Sequence, residues 1–266
     1  MKIIELLKYI FLSIIQGVGE ILPISSSGHL FLLRKVLKVD ISGVTFEIVL
    51  HLASLIALFI YYRKTIFDLT KGFMLYTLKK DNRFIKEYKF VIGMIMCLIP
   101  TCVVGYFVND YLDCFLNYSF IIGLFLIFNG FNLLLIRNSI GNKNIEELSL
   151  LSFFKIGLGQ CLGLIPGFSR SGSALSMCYR EKLNKEDSEK LAFLMLFPLV
   201  LGSMALNIGD FSFDSNNSVL MAISFIVTFV ATFLSLGLLS KIVRRGKLYY
   251  FSYYCIIIGV LAIILN

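Results

Sequence analysis

The sequence predicts an all-α polytopic membrane protein, with six spanning helices and two re-entrant helical hairpins in an inverted-topology repeat. Three observations carry this. Hydrophobic residues make up 58% of the chain and charged residues 16%, with a mean hydropathy of +0.83, whereas soluble domains carry about 25% charge. Several uncharged stretches approach the ~20 residues that cross a hydrocarbon core. The net charge of +8 comes from basic residues between the apolar runs, a topology signal rather than a nucleic-acid surface. The reading therefore includes no nucleic-acid partner.

Residues 3–37 open the chain as an apolar region interrupted from Pro23 to Gly28. Its lysine and apolar run resemble a signal peptide, but it leads into PISSSGH rather than a small-residue cleavage site, so it counts as mature protein. Residues 148–180 form a second such region, interrupted from Pro166 to Gly172. Proline, glycine and serine end helices and start turns. Each half is too short to span, which predicts two hairpins whose exposed backbone must be covered by protein or water. Six segments read as spans: 44–62, 90–107, 118–136, 191–206, 218–239 and 248–265, all but the first without charge. The six cysteines are scattered without metal-ligand spacing, and most fall in apolar runs, where packing is their expected role.

Residues 63–89 carry eight Lys/Arg against three Asp/Glu, and 240–247 carry four Lys/Arg and no acid, so both are expected in the cytoplasm. The connections 108–117 and 207–217 carry two aspartates each and no base, which sets them outside, together with both termini. One domain of two halves follows: 1–136, a hairpin plus three spans, and 148–266, its inverted counterpart. Gln16, Pro23, Ser25, Ser27 and Gly28 have counterparts in Gln160, Pro166, Ser169, Ser171 and Gly172, with a one-residue slip. Such repeats bring their broken helices together near the midplane.

The tips carry the chemistry. Gln16 and Glu20 share a helix face at i, i+4. A carboxylate at membrane depth costs about 2.5–3.5 kcal/mol and usually marks function. Ser25, Ser26, Ser27 and Gly28 supply hydroxyls and bare N–H groups where a helix begins, a geometry suited to phosphate. His29 lies three residues beyond Ser26, within reach on a helical turn as general base or proton donor. The bland reading is that the serines cap the helix and His29 bonds a carbonyl. In PGFSRSGS, Arg170 is the only cation between Lys155 and Arg180, flanked by Ser169, Ser171 and Gly172. Arginine grips phosphate oxygens as a fork and stabilises developing charge; alternatively it only pairs with Glu20 across the halves. Glu47 and His51 form an ExxxH pair, too few ligands for a metal site on their own and more often a polar contact between helices. Aromatic-rich LYYFSYY at 248–254 reads as an interfacial belt.

QGVGEILPISSSGH at 16–29 and PGFSRSGS at 166–173 together resemble the undecaprenyl-diphosphatase family, the bacitracin-resistance membrane phosphatases of bacteria. FEIVLHLASLIAL at 46–58, GLGQCLGLIPG at 157–167 and FLMLFPLVLGSMAL at 193–206 extend the likeness over nearly the whole chain. The resemblance implies an inverted-repeat fold in the bacterial plasma membrane, with the site open to the outer face. It implies a polyprenyl diphosphate substrate, bacitracin acting only through that shared substrate, and a need for Mg²⁺ or Ca²⁺. By position, Glu20 matches the carboxylate thought to hold metal and diphosphate, and Gln16 a variable Glu/Gln. Ser26 matches the proposed nucleophile, His29 the acid/base or alternative nucleophile, and Arg170 the phosphate grip. The chain departs from the family pattern at Gly163, Ala174, Ala192 and Cys255, where alanine, threonine, serine and arginine are usual.

A lipid-phosphate transporter uses the same architecture, but a carrier has no need of Ser26 beside His29. The type-2 phosphatidic acid phosphatases also carry SGH and SR elements. They require a histidine five residues after the Ser-Arg pair, and here Ser176 and its neighbours supply none.

Overall fold

The computed structural model describes residues 3–39, 45–115, 118–139, 141–206, 209 and 218–265. Among these the chain forms eleven α-helices and no β-strand. They are α1 (Ile3–Ile21), α2 (Ser26–Leu37), α3 (Thr45–Lys79), α4 (Ile85–Phe115), α5 (Ser119–Leu135), α6 (Leu150–Gln160), α7 (Arg170–Arg180), α8 (Lys185–Leu194), α9 (Leu196–Leu206), α10 (Ser218–Arg244) and α11 (Tyr250–Ile264).

Both motif-bearing regions break where proline and serine interrupt the apolar run. α1 ends at Ile21 and α2 begins at Ser26. α6 ends at Gln160, passes through a 3₁₀ turn at Cys161–Leu164, and α7 begins at Arg170. Each new helix starts on a serine whose hydroxyl accepts the backbone N–H three residues on, Ser25 from Gly28 and Ser169 from Gly172.

Among the described residues, four helices are long and apolar enough to cross a membrane: Thr45–Lys79, Asn82–Val108, Lys185–Leu206 and Ser218–Arg244. This agrees with a multi-pass membrane protein. The segment expected at 44–62 runs on as α3 to Lys79, so much of the basic connection at 63–89 is itself helical. Apart from a single Gly72, that stretch is made of helix-compatible residues and holds no proline, and the helix stops only before Lys80, which takes a positive φ of 53°. The segment expected at 191–206 is interrupted at Met195, between α8 and α9. Pro198 explains the break, because it cannot donate to the Leu194 carbonyl and its ring crowds that position. α5 and α11 have 17 and 15 residues, short of the ~20 that span unaided. The acidic connection at 207–217 lies outside the described residues apart from Gly209, and so do the side chains of Asp110 and Asp113.

Packing relates the two halves. α1 lies against α10 while α6 lies against α4, and α5 packs along α11. In lipid, helices associate through close backbone approach and polar contacts. A Cβ on Gly123 would sit 2.7 Å from the Gly259 carbonyl oxygen, and one on Gly259 would sit 2.5 Å from that of Gly123. α10, an apolar run by composition, carries buried Ser224, Thr228 and Thr232 at i, i+4 spacing. Thr228 donates to the Ser13 carbonyl at 3.1 Å, and Thr232 shares a hydrogen bond with Ser54 at 3.0 Å. Phe153, Ile156, Phe193 and Leu236 belong to the core that joins α6, α8 and α10.

Gly123→Leu is expected to pry α5 from α11. Overpacking of this kind costs about 1–3 kcal/mol, and thermal melting of the purified protein in detergent is expected to show the loss, whereas Gly202→Ala, with open space around it, leaves the midpoint unchanged.

Candidate active site

The two helix breaks meet. Gly167, between α6 and α7, donates its N–H to Ser25 Oγ at 3.2 Å, and Ser171 Oγ donates to the Ile21 carbonyl at 3.2 Å. A Cβ on Gly28 would approach Gly167 Cα to 3.2 Å, and one on Gly172 would approach Pro23 Cβ to 2.9 Å. Each motif glycine therefore supplies the bare surface against which the other tip rests. Gly167 has a φ of +102°, a backbone region that L side chains rarely adopt.

Ser25 takes a φ of +70°, a conformation that costs a non-glycine residue about 1–3 kcal/mol and persists only when its neighbours over-determine it. They do so here. Its hydroxyl accepts from Gly28 and Gly167, and its carbonyl accepts from the His29 backbone and from His29 Nδ1, the latter at 2.8 Å. Ser27 lies beside it, Oγ to Oγ 3.5 Å, as Ser171 lies beside Ser169 at 3.1 Å.

Glu20 is the centre of the site. It is 6% exposed, and Arg170 Nη2 donates to its Oε1 at 2.9 Å from the other half of the chain. Ser26 Oγ donates to Oε2 at 2.8 Å, and Gln16 Nε2 donates to the same oxygen at 3.1 Å. His51 Nδ1 stands 3.5 Å from Oε2 and 3.2 Å from Gln16 Nε2. Gln16 is fully buried, and its Oε1 has no hydrogen-bond partner among the described residues.

A small cleft is lined by Glu20, Ser25, Ser26, Ser27, Ser169 and Arg170. The first turns of α2 and α7 both open onto it, so two positive helix ends and one guanidinium face the same space. Its chemistry is that of an oxyanion site beside a hydroxyl already bonded to a carboxylate.

Every candidate site residue read from the motifs is thus gathered at the meeting of the tips, but the pairings are finer than spacing suggests. Ser26 is hydrogen-bonded to Glu20. His29 places Nε2 2.9 Å from the Tyr254 hydroxyl and stacks on that ring at a centroid distance of 5.5 Å. Tyr254 lay hidden in the aromatic stretch of α11. Glu47 and His51 diverge: Glu47 pairs with Arg34, and His51 joins Gln16 and Glu20. Asn129 carried no motif signal. Its Nδ2 donates to the Pro23 carbonyl at 3.0 Å and its Oδ1 accepts from the Ser169 N–H at 3.2 Å, tying both tips to α5. Gly163 lines the cleft where a Cβ would lie 2.5 Å from Arg170 Cα.

Residues 9–261 match the family model for the bacitracin resistance protein BacA. The chain belongs to the BacA family. It is 37% identical over 262 residues to undecaprenyl-diphosphatase 2 of Bacillus thuringiensis (strain Al Hakam), covering 97% of each chain. Undecaprenyl-diphosphatase 1 of Shouchella clausii is 36% identical over 266 residues, covering 98% of this chain and 96% of the relative. The undecaprenyl-diphosphatase of Oceanobacillus iheyensis is 33% identical over 264 residues, covering 97% and 96%.

Asn129→Leu leaves the Ser169 N–H buried without its partner and the Pro23 carbonyl with only the weak Cys255 thiol donor at 3.8 Å. An unsatisfied buried group costs about 1–3 kcal/mol, so a clear drop in melting temperature is expected; a melt identical to wild type would show that Asn129 does not hold the tips.

Proposed function

We propose that this BacA-family chain dephosphorylates undecaprenyl diphosphate to undecaprenyl phosphate and inorganic phosphate, recycling the carrier lipid of cell-wall synthesis and thereby conferring bacitracin resistance. The observation that carries the reading is the contact between Ser26 Oγ and Glu20 Oε2 at 2.8 Å, with Arg170 on the other oxygen of the same carboxylate. A carrier that only grips and releases phosphate needs the arginine but not a hydroxyl paired with a base. This favours the enzyme over a polyprenyl-phosphate flippase.

In this reading the isoprenoid tail lies among the helices and the diphosphate enters the cleft. Arg170 and the first-turn N–H groups of α2 and α7 neutralise the equatorial oxygens, since phosphoryl transfer depends mainly on positioning and charge stabilisation. Glu20 takes the proton of Ser26 as its oxygen attacks the terminal phosphorus. The phosphoanhydride bond breaks, undecaprenyl phosphate leaves, and water then releases phosphate from the serine. His29, which donates Nδ1–H to the Ser25 carbonyl, presents Nε2 to the Tyr254 hydroxyl and exchanges protons through that pair. Ser25, Ser27, Gly28, Ser169, Ser171 and Gly172 shape the phosphate cradle.

A divalent cation, Mg²⁺ or Ca²⁺, belongs to the proposal. Glu20, and Gln16 through its unpartnered Oε1, are the oxygen donors that would hold an ion that keeps several waters. When bound there, the ion supplies Lewis-acid neutralisation of diphosphate charge.

The proposal extends to architecture: six spans and two re-entrant hairpins in an inverted repeat, with both termini and the cleft on the outer side. The reciprocal packing of α1 on α10 and α6 on α4 supports it, as does the paired capping by Ser25 and Ser169.

Purified protein is expected to release phosphate from undecaprenyl diphosphate, and EDTA to abolish the release. Ser26→Ala, Glu20→Gln and Arg170→Lys are each expected to lower kcat by about 10²–10⁴, the range for losing an acid–base or charge-stabilising group. His29→Gln should lower it strongly and Tyr254→Phe mildly. Wild type that releases no phosphate yet moves polyprenyl phosphate across liposomes would replace the enzyme by a carrier.

A further inference from the structure

A second cavity, of about 300 Å³, opens where α5, α7 and α10 end and where α8 and α11 begin. Arg137, Lys185 and Arg245 line it together with Tyr179, Tyr249 and Leu133. It sits at the far end of α7 from Arg170: nine residues separate Arg170 from Tyr179, about 14 Å along the helix. The tip cleft and this cavity share no lining residue.

No acidic side chain lines the cavity among the described residues. Of the acids near it in sequence, Glu181, Glu186 and Asp187 have their own cations, Lys155 at 3.9 Å, Lys190 at 2.7 Å and Lys86 at 3.6 Å. Buried Glu189 accepts from the Tyr62 hydroxyl at 3.0 Å, so at most one uncompensated negative charge stands near the cavity. None of Arg137, Lys185 and Arg245 forms an ion pair among the described residues. Arg137 lies over the Tyr249 ring at 4.8 Å, and Lys185 Nζ donates to the Arg244 carbonyl at 3.3 Å.

The ordinary explanation for basic residues here is compensation of helix C-termini, each worth roughly half a negative charge. Three such ends offset about half of three full positive charges, and the N-termini of α8 and α11 add positive potential back. An excess of positive charge therefore remains over the cavity. A second observation points the same way. Tyr179 lines the cavity, is 5% exposed, and its hydroxyl has no hydrogen-bond partner among the described residues. Buried hydroxyls are normally satisfied. The wall is also pre-built: Gly246, at φ +69°, closes the end of α10 through bonds to Val243 and, from Lys247, to Ile242. A Cβ there would lie 3.0 Å from Lys185 Nζ.

We propose that this cavity is a second anion site that takes a phosphate oxyanion, carried by a lipid headgroup or as free phosphate. Two guanidinium forks, one ammonium and one phenol match the acceptors of such a group. The volume is at the lower end of small-ligand pockets, and exposed Leu135 and Tyr250 beside it leave acyl chains an apolar surface.

The test uses the full chain in a Glu20→Gln, Arg170→Gln background, which removes the guanidinium grip of the tip cleft without leaving either charge buried and unpaired. One arm measures equilibrium dialysis of radiolabelled orthophosphate. The other measures lipid retained from nanodiscs containing phosphatidic acid, against nanodiscs containing diacylglycerol, by native mass spectrometry. Binding is expected in at least one arm, with diacylglycerol not retained; phosphatidic acid alone identifies a headgroup, and orthophosphate alone identifies the free ion. Arg137→Gln with Arg245→Gln is expected to cut that binding about tenfold or more, while the same pair in the wild-type background leaves phosphate release from undecaprenyl diphosphate unchanged. No binding in either arm, or equal binding by the double variant, overturns the assignment. If the double variant does not fold, Lys185→Gln and Tyr179→Phe take its place: weaker binding in either supports the site, and unchanged binding in both overturns it.

Discussion

The ion pair between Glu20 and Arg170 is the contact on which the rest of the structure depends. Two charges at 2.9 Å lie in a chain whose helices are built for hydrocarbon. Either alone would be ruinous to bury, and removing one partner leaves the other uncompensated. The pair joins segments 150 residues apart, so both helix breaks must be held in one place. Gln16, Ser26 and His51 crowd the same carboxylate and leave Glu20 no freedom to face lipid.

Holding the breaks together demands an account of every exposed backbone group. Hydrocarbon offers no water to satisfy them. The chain solves this reciprocally, with a hydroxyl of each tip bonded to the backbone of the other and Asn129 bridging both from α5. Strain at Ser25 is tolerated because four bonds converge on it. Away from the tips, threonines on α10 and the facing glycines of α5 and α11 replace the hydrophobic driving force that lipid removes.

The anionic chemistry of the molecule follows from the same economy of charge. Helix N-termini and one arginine gather at the tip cleft, beside a base and a hydroxyl. The basic cavity at the other end of α7 has cations, a phenol and the Ser139 hydroxyl, but among the described residues no carboxylate or histidine lines it to act as a base. The first arrangement is fit to transfer a phosphoryl group and the second only to hold one.

Much of this was legible in the residues themselves. Composition and charge placement determined an all-helical membrane chain. The runs PISSSGH and PGFSRSGS determined where helices stop and restart, because proline, glycine and serine act on the backbone within one turn. The same runs marked Ser26, His29 and Arg170, and Glu20 stood out one turn before the first, since polar and ionisable groups in apolar surroundings are conspicuous. Helix lengths were less legible: α3 runs on to Lys79 because charge marks a boundary of lipid, not of helix. Only the tertiary structure decided who touches whom. That Ser26 turns to Glu20 while His29 turns to Tyr254, 225 residues away, and that His51 and Asn129 join the site, are outcomes of packing between distant helices. Local sequence encodes the turn each residue sits on; the partner it meets is set by how whole helices lie against one another.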